Sequence, residues 1–144
     1  MATTATINIT SDITDSIPFS VNASMTMYQA GTTLDLEETT GLAQRTFSGN
    51  TTQVVLVDVS ATAVTAAAGG HKVYIRNTGT DKTKHFKITL ADTTDDTEEI
   101  GRLYGGDWML FPWLATDANE DIYVQPSSAE KMTIEYAVFC LLYT

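Results

Sequence analysis

No motif in the sequence carries a reaction, although acidic side chains are plentiful. Nucleophilic catalysis needs a Ser or Cys beside a positioned base, and the only imidazoles belong to His71 and His85. Neither lies in a catalytic motif, and the nucleophile sequence G-x-S-x-G is absent. We interpret both histidines as residues on polar faces of strands, and Cys140, in an apolar run, as a small buried hydrophobic residue. We expect no enzymatic activity.

The acidic run DTTDDTEE, residues 92–99, could bind Ca²⁺, which takes several oxygen ligands. Its spacing does not match the calcium loop of an EF-hand. Acidic runs of this kind are common in solvated loops, and this one follows a basic segment whose charge it could balance. We therefore expect neither a bound metal nor another cofactor.

Four aromatic residues lie close together in the sequence, and their role has two interpretations. Tyr104, Trp108, Phe111 and Trp113 could form a platform that stacks on sugar rings, or they could belong to the hydrophobic core. The core interpretation is favoured because large aromatic side chains usually bury most of their surface. Between them, Gly105 and Gly106 predict a turn.

The charge balance argues against several classes of partner. The chain has eight basic and 18 acidic residues, a net charge of -10, whereas nucleic acids and anionic membranes bind basic surfaces. No apolar stretch has the ~18 residues of a membrane span, and the N-terminus does not match a secretory signal. The basic residues nevertheless concentrate in one segment and could form a contact surface, or a solvated strand face balanced by the acidic run: Lys72, Arg76, Lys82, Lys84 and Lys87.

The elements that position these residues are predicted to be short strands. Val73 and Ile75 alternate with Lys72, Tyr74 and Arg76, which is the period of a strand with one wet face. Residues 53–59 are apolar on both faces and predict a central strand. With roughly nine to eleven such strands and turn signals about every ten residues, the sequence predicts an all-β fold without helices, an antiparallel β-sandwich of jelly-roll-like arrangement.

The two ends of the chain leave alternatives open. Residues 1–17 are rich in Thr and Asp and could be an extended N-terminal arm or a first strand, with Ile7 and Ile9 as contact residues. Residues 18–144 are predicted to form a single β-sandwich domain. Its closing segment, residues 131–142, ends in an apolar run that needs a central place in a sheet or a partner subunit, with Phe139 and Leu141 as contact residues.

Several short phrases of the sequence carry a resemblance to a known family. They are GLAQRTF (residues 41–47), VYIRNT (73–78), IGRL (100–103), GDWMLFP (106–112) and IEYAVF (134–139). In this order they resemble small virion proteins of tailed bacteriophages, above all structural proteins of cyanophage-like phages of marine or freshwater bacteria. The resemblance implies a β-sandwich, no enzymatic activity, no cofactor and a homotrimer.

The resemblance also implies a function. We expect a capsid decoration (cement) protein on the outer surface of the virion that bridges neighbouring major capsid subunits, with no nucleic-acid or membrane partner. Its predicted contact residues with the capsid or other subunits are Ile7, Ile9, Lys72, Arg76, Lys82, Lys84, Lys87, Phe139 and Leu141. The alternative is a tail, head-to-tail or fibre-associated component with a host- or carbohydrate-binding role, for which the aromatic residues would serve.

Overall fold

The described part of the chain is built from β-strands. A computed structural model describes residues 3–11, 19–28, 36, 38–59, 71–90, 98–115 and 120–140. These residues form eleven strands and no α-helix, which confirms the prediction of an all-β fold. The strands are β1 (Thr4–Ser11), β2 (Phe19–Thr26), β3 (Glu38–Thr39), β4 (Ala43–Phe47), β5 (Val54–Val57), β6 (His71–Asn77), β7 (His85–Leu90), β8 (Glu99–Tyr104), β9 (Trp108–Trp113), β10 (Ile122–Pro126) and β11 (Met132–Cys140).

Two antiparallel sheets form the sandwich. The first has four strands in the order β5-β10-β7-β8. The second has five strands: β11 pairs with β6 along one side and with β3 and β4 along the other, and β9 pairs with the outer side of β6. The predicted antiparallel β-sandwich is confirmed, whereas its jelly-roll-like arrangement stays a prediction.

Alternating side chains fill the space between the two sheets. Successive residues of a strand point to opposite faces, and the inward residues Ile75 of β6, Ile88 of β7 and Ile134 of β11 are fully buried. Phe47 and Phe86 meet across the sandwich, with ring centroids 5.5 Å apart. Burial of this apolar surface is the main stabilising contribution, at about 25 cal/mol per Å².

Two turns pack against each other at one end of the sandwich. The buried Asn77 side chain donates from Nδ2 to the carbonyl oxygen of Leu103 at 2.9 Å and accepts at Oδ1 from the N–H of Gly79 at 3.0 Å. Gly105 approaches the β6–β7 turn so closely that a Cβ would lie 2.5 Å from the carbonyl oxygen of Asp81. The phrases VYIRNT and GDWMLFP therefore include residues that lie at the contact between the two turns.

The position of β5 differs from the sequence prediction. Residues 53–59 predict a central strand, but β5 lies at one end of the described four-stranded sheet, next to β10. The pairing contains a bulge, because Ile122 lies opposite Val57 and Tyr123 opposite Val55. The bulge leaves Leu56 without an opposite residue, and the consecutive Leu56 and Val57 are both buried. Within the described sheet, this bulge accounts for the burial of consecutive apolar residues without a central place.

The closing segment has the central place that its apolar faces require. β11 lies between β6 and the pair β3 and β4, so both of its edges are hydrogen-bonded. Cys140 is buried, as predicted, and Phe139 is half-buried. Leu141 lies outside the described residues.

The first two strands form a separate two-stranded sheet, which we call the ribbon. β1 pairs with β2 along all eight residues, from Thr4 opposite Thr26 to Ser11 opposite Phe19. At its end, the N–H of Met27 donates to the carbonyl oxygen of Thr3 at 2.8 Å. Residues 4–11 therefore form a strand, one of the two alternatives for the N-terminal segment. The division into an arm and a domain of residues 18–144 stays a prediction.

Candidate interaction surface

The ribbon lies over part of the outer face of the five-stranded sheet. One ribbon face carries only Thr, Ser and Asn over residues 4–10 and 20–26, and the other face is apolar. The apolar face includes Ala5, Ile7, Ile9, Val21, Ala23 and Met25. Part of this face and Lys72, Leu110 and Pro112 of the sheet line a cavity of about 340 Å³. The ribbon therefore packs above β6 and β9.

The apolar face of the ribbon is only partly covered. Ile7 is half-buried at the cavity, but Ile9, Val21 and Met25 are 49%, 43% and 45% exposed. Neither ribbon strand carries a charged side chain, although the chain as a whole has a net charge of -10. The ribbon is thus an uncharged surface with half-exposed aliphatic side chains.

The predicted basic contact residues do not share one face. Lys72 and Arg76 alternate with the buried Val73 and Ile75, so they lie on the outer face of the five-stranded sheet, which the ribbon partly covers. Lys87 lies between the buried Phe86 and Ile88 of β7, hence on the outer face of the four-stranded sheet. The sandwich therefore separates Lys87 from the other two.

The other two predicted lysines are held in the turn region. The Nζ of Lys84 lies 2.6 Å from Glu130 and 3.0 Å from Asp81, and both hydrogen bonds raise the pKa of Lys84. Hydrogen bonds from the Thr83 hydroxyl and N–H, followed by Lys84, lower the pKa of Asp81 to about 2. Lys82 donates to the carbonyl oxygen of Gly105. Lys84 is therefore paired with two carboxylates and Lys82 with a backbone carbonyl. Residues 92–97 of the acidic run lie outside the described residues.

The four predicted aromatic residues do not form one cluster. Trp113 is 2% exposed and donates from Nε1 to the carbonyl oxygen of Glu120 at 2.7 Å. Phe111 packs against the core, and Tyr104 lies on the other sheet beside His85, with ring centroids 4.9 Å apart. Trp108, however, is 53% exposed. The core interpretation is right for Trp113 and Phe111 and wrong for Trp108 and for Tyr104, which is 37% exposed.

Trp108 lies instead beside polar residues of neighbouring strands. It is opposite Arg76 of β6, and both line a shallow cavity of about 410 Å³ together with Tyr74. The Tyr74 hydroxyl donates to Oε1 of Glu135 at 3.4 Å, and Gln44 donates to Oε2 of the same carboxylate at 3.3 Å. Burial, followed by the charge of Glu135, raises the pKa of Tyr74, while Arg76 acts in the opposite direction.

His71 is not on a polar face, which corrects its sequence interpretation. The side chain is fully buried between the sheets, and neither ring nitrogen has a hydrogen-bond partner in the described structure. Its ring lies 6.0 Å from that of Trp113. Burial, followed by the charge of Lys72, lowers the pKa of His71. The polar-face interpretation holds for the half-buried His85.

The described residues contain no group of three or more His, Cys, Asp or Glu side chains that could hold a metal ion. The same part of the chain has no helix long and apolar enough to cross a membrane.

Sequence reasoning missed Gln44, Tyr74 and Glu135 as members of a surface with Trp108. Alternation does place Tyr74 and Arg76 on one face of β6. The signal that unites them with Glu135 and Trp108 is the register between strands distant in sequence, and a single sequence does not carry that register.

Comparisons with known proteins leave the surface without an assigned role. No protein-family description matches the sequence, and no curated protein matches it. One solved structure with a partly similar shape is that of the Yersinia pseudotuberculosis-derived mitogen, at 12% sequence identity and a TM-score of 0.41. The match covers 74% of this chain and 89% of that chain. Likeness at this level carries no argument about function.

Proposed function

We propose that this protein is a structural component of a bacteriophage virion that decorates the outer surface of the capsid and bridges neighbouring major capsid subunits, as a homotrimer. The resemblance of the five sequence phrases to phage virion proteins suggests this class. The single observation that carries the proposal is the uncharged ribbon, whose apolar face leaves Ile9, Val21 and Met25 about half exposed.

Association through the ribbon has a clear physical benefit. Covering these three side chains removes apolar surface from water, which is the usual driving force for protein association. The chain is strongly acidic, so contacts between its copies, or with another acidic subunit, are opposed by charge repulsion. A contact made by the uncharged ribbon avoids placing acidic groups opposite one another.

The proposed contact residues differ in how well their positions suit a capsid contact. Ile7 and Ile9 belong to the ribbon, and Lys72, Arg76 and Phe139 lie on the outer side of the five-stranded sheet by strand alternation. We therefore assign the capsid contact to the ribbon and to the part of this face beside it, at Lys72 and the opposite Phe139. Arg76 lines the separate cavity at Trp108. Lys82, Lys84 and Lys87 are better explained by their local partners and by the solvated surface of the other sheet.

The proposal is tested by cosedimentation of the purified chain with mature capsids and, separately, with isolated tails of the phage that encodes it. We expect stoichiometric binding to capsids and, by light scattering, a free species of about three chains. The double variant Ile9→Ser/Val21→Ser should lose capsid binding. Ile100→Ser, an exposed isoleucine on the other sheet, is the matched control and should bind normally.

Binding only to tails or to host cells would overturn the capsid assignment and support the alternative of a tail or fibre component. Normal capsid binding by the ribbon double variant would overturn the assignment of the contact to the ribbon.

A further inference from the structure

The part of the five-stranded sheet next to Trp108 carries side chains in register across four strands. Gln44 of β4 lies opposite Glu135 of β11, Glu135 opposite Arg76 of β6, and Arg76 opposite Trp108 of β9. Directly opposite residues share one face of a sheet. We call these four side chains, Gln44, Glu135, Arg76 and Trp108, the polar row. Neighbouring strands are about 4.8 Å apart, so the polar row extends for about 14 Å. We propose that the polar row is a binding platform for a neutral oligosaccharide.

The chemistry of the polar row matches that of a sugar chain. A pyranose ring has an apolar C–H face and a rim of hydroxyl groups. The exposed indole of Trp108 offers an apolar surface on which the ring face can stack. Arg76 supplies donors, Glu135 supplies acceptors, and Gln44 supplies both, which suits hydroxyl groups that donate and accept.

The central carboxylate of the polar row is already oriented. Glu135 receives one hydrogen bond from Gln44 and another from the Tyr74 hydroxyl, on different oxygens. The Tyr74 hydroxyl, whose pKa is raised by burial and then by Glu135, is protonated at neutral pH and can donate. A carboxylate held in this way loses less conformational freedom when it binds a ligand, which favours affinity.

Other ligand classes fit the polar row less well. Its one guanidinium and one carboxylate cancel in charge, and the chain has a net charge of -10, so a polyanion would be repelled. An extended peptide usually binds by adding to a free strand edge. Here the strands β11 and β6, which hold the middle of the polar row, are both paired along two sides.

The inference is tested by calorimetric titration of the full chain with cello-, malto-, xylo- and chito-oligosaccharides. We expect saturable binding to at least one of the four and weaker binding to polygalacturonate, an acidic polysaccharide. Trp108→Ala should weaken the binding about tenfold or more. Tyr104→Ala removes an exposed aromatic residue of the other sheet and should leave the affinity unchanged.

Glu135→Gln provides a second variant that keeps the shape of the side chain, and we expect it to weaken binding as well. Absence of saturable binding to all four oligosaccharides would overturn the inference, as would an equal loss in Tyr104→Ala and Trp108→Ala or a preference for polygalacturonate. This inference does not depend on the capsid assignment. Trp108→Ala should still sediment with capsids if both proposals are right.

Discussion

The sandwich and the ribbon follow the same alternation of apolar and polar residues but bury it to different extents. In the sandwich, Ile75, Ile88 and Ile134 have no exposed surface, whereas Ile9 and Val21 of the ribbon are 49% and 43% exposed. The two sheets of the sandwich cover each other, whereas among the described residues the ribbon lies over part of the five-stranded sheet. Alternation therefore identifies a two-faced strand without revealing how completely its apolar face is covered.

The largest difference between the two regions is expected for truncation of an isoleucine. Ile134→Ala removes a fully buried side chain from the central strand β11 and should lower the free energy of unfolding by about 2–5 kcal/mol. Ile9→Ala in the ribbon should cost about 1 kcal/mol or less, because half of the side chain is already in water. Urea denaturation measures both. Equal losses would show that the ribbon is packed as tightly as the core.

The buried His71 should make the sandwich sensitive to mild acid. Its folded-state pKa is lowered from the usual 6.5, first by burial and then by Lys72. The unfolded chain therefore binds more protons as the pH falls below 6.5, and the free energy of unfolding decreases from there towards the folded-state pKa. His71→Phe keeps a ring without titratable nitrogens and should flatten this decrease, measured by urea denaturation between about pH 8 and pH 5.

His85→Gln is the matched control for the acid effect. Burial and Arg102 also lower the pKa of His85, but this side chain is only half-buried beside Tyr104. Most of the pH dependence should therefore remain in His85→Gln. An unchanged slope in His71→Phe would assign the acid sensitivity to other groups.

A smaller loss is expected where the two turns meet at the end of the sandwich. Asn77→Ala removes the donor to the Leu103 carbonyl and the acceptor for the Gly79 N–H. A buried group left without its partner costs about 1–3 kcal/mol. The control is Asn8→Ala on the exposed polar face of the ribbon, which should change stability by about 0.5 kcal/mol or less. A similar effect of the two variants would argue against a structural role for the turn contact.

The inward and outward residues of a strand could be predicted from the sequence where one face of the strand is exposed to solvent. The alternation in β6 correctly separates Val73 and Ile75 from Lys72 and Arg76. It fails in β5, where the bulge at Leu56 allows consecutive apolar residues to be buried and imitates a central strand. The alternation in β6 also places His71 on the inward face. The sequence interpretation assigns this residue to a polar face because imidazole is polar.

The candidate surfaces were less predictable because they depend on contacts between distant segments. Nearness in sequence suggests that Trp108 and Trp113 act together, yet Trp108 is exposed and Trp113 is buried. The five basic residues are also close in sequence but are divided among two outer faces and a turn. Strand register and the packing of the ribbon decide these positions, and neither follows from local composition.

The smallest predicted effect gives the sharpest test of the contrast between ribbon and sandwich. Val→Thr replaces a methyl group by a hydroxyl of similar size, so its cost reports mainly on whether water can reach the site. Val21→Thr, on the half-exposed ribbon face, should change the free energy of unfolding by about 0.5 kcal/mol or less. Val138→Thr, 1% exposed in β11, should cost about 1–3 kcal/mol because its hydroxyl is buried. If a capsid partner covers the ribbon, Val21→Thr should also weaken capsid binding, because the hydroxyl is then buried. Urea denaturation of the free chain and capsid affinity, measured for the same substitution, therefore show whether that apolar face is a contact surface.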